Sequence, residues 1–350
     1  MNEQSQAMET VWIGLDVDSK YVVAAVDETI RPGMPRVAPR LLPTHTFDRS
    51  RQGLKKLLAW AKTVSDKSAT FRVVMESTGS YSEDVHMWLW EIDPATGPVV
   101  MNPKIMKDFL KSLDPRTKSD RVDSQGIARF GTDRMPTATP LLSEADRSLR
   151  ELMRTREQLV AQRDALRNRH RTCRDSFVRK TLEKMIKQTQ KAIDKMQKQA
   201  LKTVKKTARQ QADLRRLMDI FGVAEVTALT VLAELGDLRR FRSNSQLASY
   251  CGLTPKIVES GARRNKPRVS KFGNKSLRRA LYMAALVNIR HKKTDLADWY
   301  WRAVERGKHP GNAIVHVMRK ILDKMHLMIT TEKTYERHPR TRDSAALEAV

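Results

Sequence analysis

Short apolar runs alternate with amphipathic stretches over the first 142 residues of the chain. The runs that predict β-strands are Val11–Asp16, Tyr21–Val26, Leu41–Phe47, Phe71–Met75 and Pro98–Met101. Between them, apolar positions spaced by three or four residues predict one helix from a Ser50 cap to Trp60 and another that ends near Trp90. Strands followed by helices predict an α/β domain with a largely parallel sheet over residues 1–142.

The next zone, residues 143–216, contains neither Pro nor Gly and is dense in Arg, Lys, Gln, Glu, Leu and Met. Leu152, Leu159 and Leu166 repeat every seven residues, and a less regular apolar stripe continues from Leu182 to Met196. This pattern predicts a long helical hairpin or coiled coil. Its basic residues fit either a solvated helix face or direct contact with nucleic acid, and the pattern does not choose between them.

Helical patterning returns in residues 217–335, where glycines separate the predicted helices. One stretch, from Leu253 to Ser276, is rich in Gly, Pro and Arg and has no helical period. The segment Ile220–Glu225 resembles the turn of a helix-hairpin-helix, which offers backbone N–H groups to a phosphate, although a simple connector can have the same residues. The polar tail, residues 336–350, is predicted to be disordered.

The charge of the chain narrows the class of partner. The 350 residues contain 66 Lys and Arg against 40 Asp and Glu, a formal net charge of +26. Such an excess attracts polyanions, and nucleic acid is the first candidate. A membrane surface is the alternative, but no span, signal peptide or basic amphipathic anchor is evident. We therefore expect no membrane partner. The two cysteines, Cys173 and Cys251, lie far apart and outside any zinc-binding spacing, which favours a reduced, cytoplasmic protein.

Four acids form the first candidate site. Asp16 and Glu76 end two strands of the predicted sheet, whose carboxyl ends share one edge. Asp120 and Asp123 are spaced to lie on one face of a helix that Ser119 can cap. Clustered carboxylates without Cys or His favour Mg²⁺ or Mn²⁺, and a pair of such ions can assist in-line displacement at a phosphodiester. Alternatively, these acids only cap a strand and solubilise a helix.

A serine in a basic loop forms the second candidate site. Ser260 lies between Glu259 and Gly261 and precedes a dense run of Arg and Lys. A serine that attacks phosphorus conserves the bond energy in a phosphoserine, and nearby cations would hold the phosphate and its developing charge. A serine before glycine is also an ordinary turn residue, and Ser270 has similar surroundings, so the residues alone do not select Ser260.

Basic and amide side chains flank both candidate sites and are predicted to contact nucleic acid. They are Lys118, Arg121, Arg263, Arg264, Lys266, Arg268, Lys271, Asn274, Arg278 and Arg279. No zinc finger, basic zipper or similar groove-reading module accompanies them.

Taken in order, these segments resemble the DEDD transposases of bacterial insertion sequences, the IS110 family, over nearly the whole chain. The order and separation of the matching motifs make the resemblance specific. The motifs are Gly14-Leu15-Asp16-Val17, Glu76-Ser77-Thr78-Gly79-Ser80-Tyr81, Asn102-Pro103, Lys118-Ser119-Asp120-Arg121-Val122-Asp123, Gly252-Leu253-Thr254-Pro255, Glu259-Ser260-Gly261, Ser270-Lys271-Phe272-Gly273-Asn274 and Leu277-Arg278-Arg279-Ala280-Leu281-Tyr282.

The resemblance implies a RuvC-like, RNase H-type α/β N-terminal domain, a long coiled-coil insertion and a mainly α-helical C-terminal transposase domain. It implies that Ser260, rather than Ser270, is the nucleophile. It also implies a bacterial homodimer or tetramer that acts on donor and target DNA, guided by a structured non-coding RNA of the element, the bridge RNA. The acids that would bind Mg²⁺, or Mn²⁺ in its place, are those that match the family's four: Asp16, Glu76, Asp120 and Asp123.

Two departures from the family pattern lie near the candidate sites. Where the family usually has Val-Ser-Lys after the first acid, this chain has Val17-Asp18-Ser19-Lys20. If the strand continues, Asp18 shares the face of Asp16 and could be a further ligand or a base. The turn that is usually Pro-Gly-Ile-Gly is Phe221-Gly222-Val223-Ala224 here, which weakens its match to a phosphate-binding turn.

Three functions fit these features. The leading hypothesis is a recombinase that cleaves and rejoins DNA through Ser260 with metal ions bound to the four acids. A RuvC-like nuclease that resolves DNA junctions by hydrolysis would need the acids but no serine. A non-catalytic nucleic-acid-binding scaffold would need neither.

Overall fold

The computed structural model describes residues 10–28, 38–65, 69–113, 119–256, 259–260, 263–264, 268–269, 272–291 and 294–333. The chain divides into two compact units, Met1–Leu141 and Leu142–Val350. Within the described ranges, no helix is long and apolar enough to cross a membrane. The predicted disordered tail, 336–350, lies outside the described residues.

One five-stranded sheet forms the centre of the N-terminal unit. Its strands are β1 (Thr10–Val17), β2 (Tyr21–Glu28), β3 (Thr44–Asp48), β4 (Thr70–Glu76) and β5 (Val99–Met101). They lie in the order β3-β2-β1-β4-β5. The β1–β2 and β2–β3 pairs are antiparallel, whereas β1–β4 and β4–β5 are parallel. The sheet is therefore mixed, and the prediction of a largely parallel sheet was wrong.

Connection length explains this error. Only three residues, Asp18, Ser19 and Lys20, separate β1 from β2. A connection that short can join only antiparallel neighbours, because a parallel pair needs a crossover of a dozen or more residues. The third strand also begins later than predicted, at Thr44, since residues 39–41 form a 3-10 turn. Pro43, which has no N–H to donate to a sheet, directly precedes it.

Four helices cover the two faces of this sheet: α1 (Arg51–Val64), α2 (Ser80–Ile92), α3 (Pro103–Leu113) and α4 (Asp120–Arg134). As predicted, Ser50 caps α1, and its side chain accepts a hydrogen bond from Gly53 N. Successive residues of a strand point to opposite faces. Ile13 and Leu15 of β1 pack in the core formed with α1 and α2, whereas Trp12 packs in the core formed with α3 and α4.

The C-terminal unit is mostly helical. Its helices are α5 (Glu144–Thr172), α6 (Ser176–Lys205), α7 (Ala208–Met218), α8 (Glu225–Leu235), α9 (Asn244–Tyr250), α10 (Lys275–His291), α11 (Asp295–Glu305) and α12 (Pro310–Thr331). The first two form an antiparallel hairpin, since side chains pair across it at Arg156–Gln197, Arg163–Gln190 and His170–Glu183. At its base, Leu149 and Val204 enter the same buried core as α7, α8, α10 and α12.

Where the structure describes the stretch that was predicted to lack a helical period, it forms four two-residue strands. They are β6 (Pro255–Lys256), β7 (Glu259–Ser260), β8 (Arg263–Arg264) and β9 (Arg268–Val269). β6 pairs with β9 and β7 pairs with β8, both antiparallel. The inner pair thus lies within the segment that the outer pair encloses, as in an interrupted β-hairpin.

Candidate active site

Two of the predicted acids lie at one edge of the mixed sheet. The parallel register pairs Leu15 of β1 with Met75 of β4. Asp16 and Glu76 are the next residues on these two neighbouring strands. Both are partly exposed, and each follows by two positions a residue, Gly14 or Val74, that lies on the face covered by α3 and α4. The two acids therefore share a sheet edge and a face, as the strand pattern predicted.

Helix α4 brings the other two acids to this edge. A Cβ built on Gly14 would lie 2.1 Å from Ala128 N and 2.4 Å from Ser124 O, so the helix backbone packs directly on β1 at this glycine. Further back along β1, Trp12 lies against Gly131. Helix residue numbers thus fall as strand residue numbers rise. The helix runs opposite to β1, and its first turn, which carries Asp120 and Asp123, extends towards the end of the strand where Asp16 lies.

Polar contacts fix α4 in this position. Ser119 caps the helix as predicted, because its hydroxyl accepts a hydrogen bond from Val122 N at 3.3 Å. The buried Gln125 donates to Leu42 O, just before the edge strand β3, and to Thr44 Oγ1, at the start of that strand. Near the other end of the helix, Arg129 Nε lies 2.7 Å from Asp27 Oδ2 in a buried ion pair with β2. Burial nevertheless raises the pKa of Asp27, against the opposing effect of Arg129.

The acids act on one another electrostatically. The pKa of Asp16 is raised from 3.8 to about 6, first by burial and then by the negative charges of Asp120, Asp123, Glu76 and Asp18, in that order. Each neighbouring carboxylate disfavours the ionised form of Asp16. The four predicted acids are therefore close enough to influence a single proton equilibrium, although they come from three elements.

Tyr21 also lies at this edge of the sheet, although it was not among the predicted site residues. Its hydroxyl donates a hydrogen bond to Asp120 Oδ2 at 3.1 Å, and this bond is the first cause of a raised Tyr21 pKa. The tyrosine opens β2 directly after the β1–β2 turn, which returns the chain to the end of the sheet where Asp16 lies. A hairpin prediction at residues 18–20 would have placed it there.

Asp18 does not continue the face of Asp16, because β1 ends at Val17. Its exposed carboxylate accepts hydrogen bonds from the backbone and hydroxyl of Ser19, which are the main reason for its lowered pKa. The same turn is held by Arg49, whose Nε donates to Ser19 O at 2.8 Å and whose Nη1 lies 2.9 Å from Asp84 Oδ2. The condition under which Asp18 would share the face of Asp16, a continuing strand, is therefore not met, although its charge still acts on Asp16.

The donor set suits a hard divalent cation. All four acids offer oxygen ligands, and their mutual repulsion is the kind that a bound cation offsets. In the part of the chain that the structure describes, however, no three or more His, Cys, Asp or Glu side chains are already arranged to hold a metal ion. The chemistry of the edge fits a metal, whereas a closed ligand arrangement is not formed.

The second candidate residue, Ser260, lies in the short strand β7. Its register partner on β8 is Arg263, and Glu259 is opposite Arg264. Arg268 lies in the outer pair, opposite Lys256. The backbone register therefore places one predicted phosphate-binding arginine directly opposite the serine. Four other predicted positions, Lys118, Lys266, Ser270 and Lys271, lie outside the described residues.

Two glycines close the base of the segment that carries Ser260. A Cβ on Gly273 would lie 2.4 Å from Gly252 N and 2.5 Å from Tyr250 O, so the two ends of the segment touch backbone to backbone. Gly252 also has a φ of 68°, in the left-handed region. Arg278 Nη1 donates to Gly273 O at 2.7 Å and to Cys251 O at 3.2 Å. Arg278, predicted to bind nucleic acid, thus ties these ends together.

Asn274 has a similar place at the base. Its Nδ2 donates to Glu234 Oε2 at 2.7 Å, and its Oδ1 accepts a hydrogen bond from Leu277 N at the start of α10. Glu234 is a buried residue of α8 that also pairs with Arg154 of α5, at 3.0 Å. Sequence analysis missed Glu234 and Arg154, because nothing local distinguishes them from other charged helix residues.

The remaining predicted contacts are exposed. Arg121 lies exposed in the first turn of α4, and Arg279 is 58% exposed, with its guanidinium 3.9 Å from Glu157. The predicted helix-hairpin-helix turn lies between α7 and α8. It is held by Asn288, whose Nδ2 donates to Phe221 O at 2.7 Å. Phosphate binding by this turn stays a prediction.

Models of known protein families match both parts of the chain. The family model for DEDD transposases of IS110 elements matches residues 13–178, a range that contains all four acids. A second model, described as the transposase IS116/IS110/IS902 family, matches residues 214–300, which contain Ser260. A DEDD transposase domain implies dependence on divalent metal ions in general.

The chain is also similar in sequence to individual proteins. The pilin gene-inverting protein of Moraxella bovis is 27% identical over 293 residues, which cover 83% of this chain and 90% of that protein. A probable family 20 transposase of Pseudomonas aeruginosa is 25% identical over 69% of this chain and 78% of its own length. The transposase for insertion sequence element IS1111A of Coxiella burnetii is 32% identical over 130 residues, 37% of this chain and 36% of that protein. The chain therefore belongs to the IS110 family of DEDD transposases, enzymes that recombine DNA.

Proposed function

We propose that this transposase breaks and rejoins DNA through Ser260, assisted by Mg²⁺ bound to a RuvC-like N-terminal domain and guided by a bridge RNA of its insertion sequence. The residues that would hold the metal are Asp16, Glu76, Asp120 and Asp123. The observation that carries the metal assignment is that β1, β4 and α4 bring these acids to one edge of the sheet, where their charges act on Asp16. The mixed sheet order β3-β2-β1-β4-β5 supports the RuvC-like, RNase H-type interpretation.

The chemistry divides between the two units. In the N-terminal unit, a bound divalent cation would supply charge stabilisation for the oxygens of a phosphodiester. In the C-terminal unit, Ser260 Oγ would lose its proton and form a bond to phosphorus, while the bond from phosphorus to one DNA oxygen breaks and that oxygen takes up a proton. A hydroxyl of the exchanging strand would then attack the phosphoserine and release Ser260. No phosphodiester is lost in this sequence.

Rejoining, rather than hydrolysis, is supported by the relatives. The Moraxella bovis protein is named for inverting a pilin gene, and inversion of a gene requires that the cut ends be joined again. A guide RNA is supported by the net charge of +26 in a chain without a recognised groove-reading module. The domain division at 142 and 216, a coiled-coil form for the α5–α6 hairpin and assembly into a homodimer or tetramer belong to the same proposal.

A covalent adduct tests the nucleophile. Full-length protein is incubated with labelled donor DNA, target DNA, element-derived RNA and Mg²⁺, and denaturing gels show any protein–DNA adduct. Wild type and Ser270→Ala should form it, and Ser260→Ala should not. Ser270 is the matched control because its surroundings have the same composition. Asp16→Asn and wild type in EDTA should both show strongly reduced cleavage.

Each alternative function has its own signature in this assay. Nicking without an adduct that persists in Ser260→Ala would indicate a hydrolytic RuvC-like nuclease and overturn the serine assignment. An adduct that persists in Ser260→Ala but disappears in Ser270→Ala would transfer the role to Ser270. Binding without any strand breakage would indicate a scaffold. Full activity in EDTA would overturn the metal assignment.

A further inference from the structure

Helix α6 carries a line of lysines along its exposed side. Eight lysines occur between Lys180 and Lys205, each three or four residues from the next, and all eight are exposed. This spacing keeps them on one side of a helix. We call these eight residues the lysine stripe. At about 1.5 Å per residue, the stripe is about 37 Å long.

The opposite side of α6 is already occupied. Ile193, Ala200 and Val204 of α6 are buried, the last two in the main core of the unit. No lysine of the stripe forms an ion pair with any described residue. Of the acids of the same helix, Glu183 forms its ion pair with His170 and Asp194 accepts a hydrogen bond from Gln190, while the charge of Lys187 also acts on Glu183.

The partner helix α5 shows how different a merely solvated charged face looks. There, Arg163 and Arg167 both pair with Asp164, so positive and negative charges are mixed along the surface. In the lysine stripe, positive charges follow one another at intervals where like charges repel and destabilise a helix. A polyanion bound along this face would attract the lysines and offset the repulsion between them.

We infer that the lysine stripe docks the phosphate backbone of duplex DNA without reading its sequence. The segment from Lys180 to Lys205 contains no aromatic residue, so nothing in it can stack on unpaired bases as single-strand binders do. Its length is close to one turn of B-DNA, about 34 Å. DNA is the substrate of the family to which the chain belongs. The stripe lies apart in sequence from the four acids and from Ser260.

Salt dependence of binding tests this docking surface. The full-length protein is titrated against a labelled 30-bp DNA duplex of unrelated sequence in EDTA, and fluorescence anisotropy gives the affinity at several salt concentrations. The stripe variant replaces three exposed lysines of α6 by glutamine. The control variant makes the same charge change at three exposed lysines of α1. The two sets are Lys191, Lys195 and Lys198 in the stripe, and Lys55, Lys56 and Lys62 in the control.

Each phosphate contact contributes about 0.9 to the slope of log affinity against log salt. The stripe variant should therefore lower the slope by about 2 to 3 and weaken binding at least about tenfold at moderate salt, whereas the control should keep the wild-type slope. Replacing the same three lysines by arginine should restore the slope, which separates loss of charge from loss of folding.

Three results would overturn the inference. The first is an equal slope for the stripe and control variants. The second is a loss of affinity confined to an RNA duplex of the same length, which would assign the stripe to RNA. The third is a changed oligomeric state with an unchanged DNA slope, which would assign it to a protein contact. Because the assay involves no strand cleavage, its outcome is independent of whether Ser260 is the nucleophile.

Discussion

Replacement of Asp16 by asparagine should stabilise the metal-free protein while it removes activity. Asparagine has nearly the same shape as a protonated aspartate and carries no charge. In the structure, Asp16 is held beside three other acids and partly removed from water, and its pKa is raised from 3.8 to about 6. Above that pH the folded protein must hold an ionised carboxylate in a position that disfavours it. Asp16→Asn removes this penalty.

The magnitude follows from the shifted equilibrium. A rise from 3.8 to about 6 corresponds to about 3 kcal/mol of lost stability at neutral pH, at about 1.4 kcal/mol for each tenfold change in proton affinity. Because Asp16 is only partly buried, solvent screens the repulsion, and about 1–2 kcal/mol is the expected gain. The folded state binds the proton more tightly than the unfolded state. The penalty is therefore absent below pH 3.8, develops as the pH rises to about 6, and is constant above.

Urea unfolding of the full chain in EDTA measures this effect, with hydrogen exchange of the β1 amides to follow the N-terminal unit. At pH 7.5, Asp16→Asn should be more stable than wild type, and at pH 4 the two should converge. Asp108→Asn is the control, since this exposed acid forms only a surface pair with Lys104 and should change stability by less than about 0.5 kcal/mol. An Asp16→Asn protein that is equally or less stable at pH 7.5 would refute the repulsion argument.

Two further predictions concern the supports of the two sites. Gly14→Ala should lower stability by about 3 kcal/mol or more, because its Cβ would overlap the α4 backbone at Ala128 N and Ser124 O. Thermal melting checks this against Gly311→Ala, whose Cβ would meet only the His309 ring, and equal melting temperatures would contradict it. Glu234→Ala should cost about 2–3 kcal/mol, because it deprives Arg154 and Asn274 of a buried carboxylate. Urea unfolding compares it with the exposed Glu151→Ala, and a cost below about 0.5 kcal/mol would show that the contact is dispensable.

We call the sheet edge with Asp16, Glu76, Asp120 and Asp123 the acid edge. Its position could be predicted from the sequence because the features that define it lie close together in the chain. An apolar run that ends in an acid defines a strand end, and the alternation of side chains along β1 places Asp16 on the face of Trp12. The Ser119 cap likewise follows from residue type and spacing. The pattern of apolar residues within the strands could not give the direction of β2, because that direction depends on the length of the turn between β1 and β2. Tyr21 was missed for the same reason.

The framework around Ser260 depends on contacts between residues far apart in the chain. Arg278 and Asn274 lie in a basic segment and were predicted to bind nucleic acid, yet their side chains donate hydrogen bonds to Gly273 O, Cys251 O and Glu234. Charge composition cannot distinguish an arginine that binds phosphate from one that caps carbonyl groups. Only the close approach of Gly252 and Gly273, 21 positions apart, reveals that the segment is closed at its base.

The two candidate sites therefore differ in the forces that act on them. The acid edge keeps like charges together and disfavours its own ionised form, so it gains from a bound cation and loses stability without one. In its described residues, the segment that carries Ser260 forms two-residue strands, whose few backbone hydrogen bonds give little rigidity of their own. At its base, Arg278 and the buried Glu234 contacts join it to α8, α5 and α10, and β9 also lies against α12. Glu234→Ala should therefore impair adduct formation at Ser260 more than DNA binding, because the loss is one of position and not of charge.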